Sequence, residues 1–314
     1  MVNELLENLI REIPHLSLQV PLAYTKVLME TQGKPMIVRQ ALGLKQTLNN
    51  LPIIIRPDEI IVGTFDANIP VAIPRMEGSG FRILKELHGL SNRLINPINV
   101  EEGDFDILEE IIAPFYEKNN VDNYAREYAD ESVFETSFSG CAYVATEIGG
   151  IAHVVVDYQR LISYGLKKYV ESSQEKLEIY ERLELKHENV NEKIAFYESM
   201  IIICKALIQY AHKYSEHAIT LSENAENTER KKDLLKIAMV CENVPENPPK
   251  NLHEAIQFIW FIHMALHLEN FEHGISFGRI DQYLEKYYDG NKEFAVKIFK
   301  NLLLKTNEVI ALYD

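Results

Sequence analysis

The stretch RKKDLLKIAMVCENVPENPPKNLHEAIQFIWFIHMALHLE, from Arg230 to Glu269, joins two helical patterns. The first covers residues 229–241. Pro248-Pro249 stops any continuation, because proline removes a backbone donor and restricts the residue before it. Asn251 then stands where an N-cap belongs, and residues 252–269 are apolar on nearly every side around Trp260. A helix with no polar face has to be surrounded by other elements. The stretch therefore predicts a buried central helix, and the chain on either side has to supply its cover.

Upstream, residues 192–221 carry Ile194, Met200, Ile203, Leu207, Tyr210 and Tyr214 along one helical side,. Residues 158–170 also read as helix. A small, polar, glycine-flanked loop over 137–150 leads into the β-branched run 151–156, a loop feeding a strand,. Nearer the N-terminus, residues 24–50 predict two helices broken at Gly33-Lys34-Pro35. The isoleucine-rich run LPIIIRPDEIIVGTF (51–65) reads as two short extended segments about an Arg56-Pro57-Asp58 turn,. Between 66 and 130, loops and short helices alternate. Downstream, 273–278 reads as extended and Asp281 opens a further helix. Asn291 caps a last helix that is still apolar at Ala311-Leu312-Tyr313,. Strands are thus expected near Ile60, Ile151 and Gly274 among long outer helices, an α/β protein.

Composition narrows the function classes. Of 314 residues, 46% are hydrophobic and 25% charged, the balance of a folded domain with a sizeable core,. The formal net charge of -15 disfavours phosphate backbones and anionic lipid, so neither nucleic acid nor a membrane surface is an expected partner,. The opening MVNELLENLI carries no basic leader, and a cytoplasmic location is expected,. Cys141, Cys204 and Cys241 form no CxxC pair and read as reduced thiols,.

Four blocks resemble the glycyl radical enzymes of the pyruvate formate-lyase and B12-independent glycerol or diol dehydratase superfamily. They are residues 31–63 with Arg56-Pro57-Asp58-Glu59 and Ile61-Val62-Gly63, GIAHVVVDYQRLISYGL at 150–166, the 230–269 stretch, and HGISFGRIDQYLEKYY at 273–288. In the third, Arg230, Cys241, Val244-Pro245, Pro248-Pro249, Glu254-Ala255 and Gln257 follow the family's order and spacing. Ala152 stands where the family has glycine, and Gly274 where it has serine.

The resemblance implies a helical entry over 1–50, then about half of a ten-stranded α/β barrel with outer helices over 51–314. It also implies that this is the N-terminal part of an enzyme more than twice as long. The family's cysteine loop with its glutamate, and its Arg-Val-x-Gly-Tyr loop bearing the radical glycine, do not occur in this sequence. No catalytic residue is therefore assigned within the chain. What the resemblance does assign is substrate contact: His153 and His273 orient the hydroxyl groups of a small polyol-like molecule, with Asp157 and Ser276 as weaker candidates beside them. Asp157 also suits a cap for the helix at Tyr158, and Arg279 with Asp281 a structural pair at a strand-to-helix turn.

No cofactor is expected in this chain. The family's glycyl radical is installed by a radical SAM activating enzyme, so that activase joins a separately encoded C-terminal half, or a second copy of this chain, among the implied partners. The other reading is an inactive remnant that at most binds a small molecule or another protein. His263 and His267 have the i, i+4 spacing of metal ligands, but no glutamate follows the first histidine, and the apolar surroundings read as a core face. No metal site is expected. Cys204 and Cys241 read as small core residues, and Cys141 as a loop thiol with no neighbour to stabilise a thiolate.

Overall fold

A computed structural model of the chain describes residues 9, 11–74, 76, 84, 86–128, 130–138, 154–183, 188–269 and 274–310. Its helices are α1 (Gln19–Glu30), α2 (Met36–Asn50), α3 (Glu102–Asp106), α4 (Ala113–Tyr116), α5 (Val121–Tyr128), α6 (Glu131–Phe138), α7 (Tyr158–Glu181), α8 (Glu188–Glu223), α9 (Thr228–Asn243), α10 (Leu252–Glu269), α11 (Ile280–Leu284) and α12 (Lys292–Lys305). A π-helical turn, Ile107–Ile112, joins α3 to α4. The strands are β1 (His15–Leu16), β2 (Val71–Ala72), β3 (Val154–Val155), β4 (Ile275–Ser276) and β5 (Val309–Ile310).

As its composition requires, α10 sits at the centre. Trp260, Phe258, Ile259 and Phe261 are buried, and α2, α7, α8, α9 and α12 surround it. Its cap is reciprocal: Asn251 Oδ1 accepts from the Glu254 N–H at 3.0 Å, and Glu254 Oε2 accepts from the Lys250 N–H at 2.7 Å,. By length and composition α8 would pass for a membrane span, but α2, α7 and α9 lie against it and bury Tyr210, Ala211 and Tyr214.

The strands form two separate parallel sheets. One has the order β1-β2-β5, with Val71 paired to His15 and Val309. The other pairs β3 with β4, Val154 opposite Ile275 and Val155 opposite Ser276. Among the described residues no sheet closes into a barrel. The strands expected near Ile151 and Gly274 are β3 and β4.

The strand expected near Ile60 does not form. Residues 59–63 are irregular backbone, bent at Ile60 and Ile61, whose hydrogen bonds go to side chains instead of a neighbouring strand. Asn301 Oδ1 accepts from the Ile60 and Ile61 N–H groups (3.2 and 2.8 Å). Gln257 brackets Val62, accepting from its N–H (2.8 Å) and donating to its carbonyl (2.7 Å). Ring nitrogens of His253 and Trp260 reach the Ile60 and Gly63 carbonyls at 2.7 and 3.0 Å. A buried segment has to satisfy its backbone polar groups, and here α10 and α12 supply the partners. The last helix was also expected to run past Ala311. It stops at Lys305, and the chain turns into β5.

Gly165 interrupts α7 at φ 72°, ψ 160°, a conformation essentially confined to glycine,. The Pro245-Glu246-Asn247 loop enters the gap, its Pro245 and Glu246 carbonyls accepting from the N–H groups of Leu166 and Lys167 at 2.9 Å each. A Cβ at 165 would stand 2.6 Å from the Glu246 oxygen.

Candidate functional site

Two buried polar clusters lie against α10. The first is ionic and closes around the irregular 56–66 segment. Lys305 Nζ, fully buried at the end of α12, reaches Glu59 Oε1 at 2.9 Å and Glu308 Oε1 at 2.5 Å. Arg56 lies 3.2 Å from Glu59 and 3.8 Å from Glu308, and Thr64 Oγ1 donates to Glu308 at 3.1 Å. Burial works to raise the Glu59 carboxyl, but Lys305 and Arg56 beside it bring it below the usual carboxylate value,. Burial raises Glu308, and the Glu59 charge adds to the rise against Lys305. Two cations facing two carboxylates leave no net charge. Arg230 adds an outer tie, donating to the Glu59 and Arg56 carbonyls at 2.8 Å each.

The second cluster is neutral and aromatic, and borders the β3–β4 pair. Tyr158 follows β3 at the start of α7, and Phe277 follows β4. Between them stands His263 of α10, stacked on Phe277 with ring centroids 4.2 Å apart. His263 Nδ1 lies 2.9 Å from the Tyr158 hydroxyl, and His263 Nε2 lies 3.0 Å from His267 Nε2 one turn on. Tyr283 donates to the Phe277 carbonyl at 2.8 Å and fixes the turn after β4. Burial, with His267 beside it, lowers the His263 pKa to about 3, so the ring is neutral at ordinary pH. Burial raises Tyr158 well above the usual phenol value, and its proton stays on,.

Of the substrate-contact candidates, His153 and His273 lie outside the described residues, as do Cys141 and Ala152. Asp157 is exposed and caps α7, its Oδ1 accepting from the Arg160 N–H at 3.0 Å. Ser276 is exposed too, and its Oγ accepts from the Gly278 N–H at 3.0 Å. Arg279 and Asp281 form the expected pair, two-pronged at 3.0 and 2.7 Å on the surface. Cys204 and Cys241 are buried, with burial pushing the Cys204 thiol up to about 12 and Cys241 higher still, as suits core residues. The Tyr158–His263 contact was not foreseen, although both residues stood in blocks singled out by sequence.

A cleft of about 550 Å³ lies elsewhere, between the N-terminus of α10 and the turn before α12, and shares no residue with the β3–β4 pair. Among the described residues no three His, Cys, Asp or Glu side chains gather as a metal site.

Comparison with known proteins gives one consistent result. A family model described as pyruvate formate lyase-like matches residues 1–314. The isethionate sulfite-lyase of Oleidesulfovibrio alaskensis is 28% identical over 88% of this chain and 34% of its own length. A glycyl radical enzyme from Archaeoglobus fulgidus superposes with a TM-score of 0.93 at 38% identity, covering 99% of this chain and 41% of that one. The glycerol-bound B12-independent glycerol dehydratase of Clostridium butyricum superposes at 0.89 with 28% identity, covering 99% and 40%. The chain thus spans well under half the length of the relatives it matches.

Proposed function

Because the chain belongs to the pyruvate formate lyase-like family, we propose that it supplies the substrate-orienting part of a glycyl radical lyase or dehydratase acting on a small hydroxylated compound. One observation carries this reading. β3 and β4, about 120 residues apart in sequence, run parallel with Val154 opposite Ile275, and in the sequence His153 stands one residue before β3 and His273 two residues before β4.

In this reading the two histidines orient the hydroxyl groups of the substrate and pass a proton as one leaves. The aromatic floor of Tyr158, Phe277 and His263 beside the strand pair suits a reaction that water would quench,. A complementary half completes the barrel and brings the thiyl cysteine, its glutamate and the radical glycine, and a radical SAM activase installs the radical. The chain itself carries no cofactor in this scheme.

The test is anaerobic reconstitution of the chain with a family C-terminal half, an activase, S-adenosylmethionine and reductant, following consumption of glycerol or 1,2-propanediol. Turnover that is lost in His153→Ala and His273→Ala supports the reading. A mixture that forms the glycyl radical signal yet stays inert overturns it. That result would favour a catalytically inactive remnant, the reading to which glycine at 274, in place of the family's serine, lends weight.

A further inference from the structure

The His263–His267 pair is more than a packed core face. The residues are one helical turn apart on α10, and their Nε2 atoms stand 3.0 Å from each other. Two imidazole nitrogens bound at about 2.0–2.1 Å to one ion stand roughly 2.9–3.4 Å apart for bond angles near 90–109°. The ring centroids are 4.6 Å apart. A head-on N–H···N contact of the same length would hold them more than about 5 Å apart. The shorter separation fits two lone pairs aimed toward a shared point.

The surroundings suit ligation. His263 Nδ1 is engaged by the Tyr158 hydroxyl at 2.9 Å, which can hold the ring proton on that nitrogen and leave Nε2 free of one, the support that metal-binding histidines usually have,. Phe277 stacked on one ring and Phe65 edge-on to the other fix both orientations. His263 is buried and His267 partly buried.

We infer that His263 and His267 chelate a single divalent transition ion of the zinc, nickel or cobalt type, with water completing its coordination. With no third protein ligand among the described residues, this is an exchangeable site and not a structural zinc,. With His263 held as its Nδ1–H tautomer by Tyr158, binding requires only that His267 also carry its proton on Nδ1, and it needs no net loss of protons from the neutral pair. The site stands independently of the radical chemistry proposed above.

The experiment is calorimetric titration of the metal-free full chain with Zn²⁺ and, separately, Ni²⁺. Binding that saturates at one ion per chain, weakens at least tenfold in His267→Ala and about tenfold in Tyr158→Phe, and raises the melting temperature supports the site. The partly exposed position of His267 makes its variant a fair test of ligation without loss of fold. Long-range ¹H–¹⁵N spectra should show both Nε2 resonances moving together on Zn²⁺ addition. Absence of saturable binding, or equal affinity in His267→Ala, overturns the inference and leaves the contact a hydrogen bond.

Discussion

The two polar clusters against α10 are built on opposite plans. Around Lys305 two cations offset two carboxylates, and Lys305, Glu59 and Glu308 are fully buried. Around His263 the contacts are the Tyr158 hydroxyl, the Phe277 ring and a second imidazole, with no carboxylate or ammonium among them. A compensated ionic cluster resists any change of protonation and so fixes geometry. A neutral imidazole keeps lone pairs and protons that can move. The ionic cluster thus joins 56–66 to β5 as architecture, and the aromatic one borders the strand pair where chemistry is expected.

The contrast breaks first at Lys305. Lys305→Met removes one of the two cations and leaves Glu59 and Glu308 as neighbouring buried carboxylates with Arg56 alone. Breaking a buried pair in this way costs about 3–5 kcal/mol, seen as a lower urea midpoint. Combining it with Glu308→Gln should return most of that loss, since the surviving Arg56–Glu59 pair remains balanced. A loss under about 1 kcal/mol in the single variant would mean that the cluster holds nothing in place.

Gln257 tests the same region through the backbone. Gln257→Leu keeps the volume but strands the Val62 N–H and carbonyl, each buried. At about 1–3 kcal/mol for each unmet group, a total near 3 kcal/mol is expected. Amide exchange at Val62 should rise well above that of the α10 core in the variant.

His263 sharpens the other side. Its folded pKa is lowered to about 3 by burial, with His267 beside it, against about 6.5 for an unfolded histidine. The unfolded state therefore binds the extra proton first, and stability falls as pH drops below about 6.5. Between pH 6.5 and 5 the loss from this one group is about 1.6 kcal/mol. The difference between wild type and His263→Leu isolates it: the variant should lose less over that interval. Equal acid sensitivity in both would show that the ring is not held neutral.

How much of this could be read from the chain follows from where each hydrogen bond goes. The limits of α10 were legible because Pro248-Pro249, Asn251 and an unbroken apolar run are all local. The 51–65 run was misread as strand because its partners, Gln257 and Asn301, lie 195 and 240 residues away and are side chains. Strands of two residues leave no alternation to detect, so β1, β2 and β5 were invisible. The i, i+4 spacing of His263 and His267 was plain, but the direction of their rings depends on Tyr158 and Phe277, which only the fold brings there. Lys305, read in sequence, is an ordinary basic residue in the last turn of a helix. Only the meeting of α12 with the Arg56–Glu59 segment buries it.

The smallest expected effect decides between two roles for Asp157. As the cap of α7 it satisfies one N–H, so Asp157→Ala should cost about 1 kcal/mol and Asp157→Asn almost nothing, because asparagine caps as well as aspartate,. A substrate contact would invert that order. The reacting molecule would sense loss of the negative charge in Asp157→Asn, while the fold would not. Thermal melts of both variants, set beside turnover of the reconstituted enzyme, separate the cases. A melt lowered only in the alanine variant, with turnover intact in the asparagine one, confines Asp157 to capping. Reduced turnover in Asp157→Asn at unchanged melting would place its carboxylate in the site beside His153.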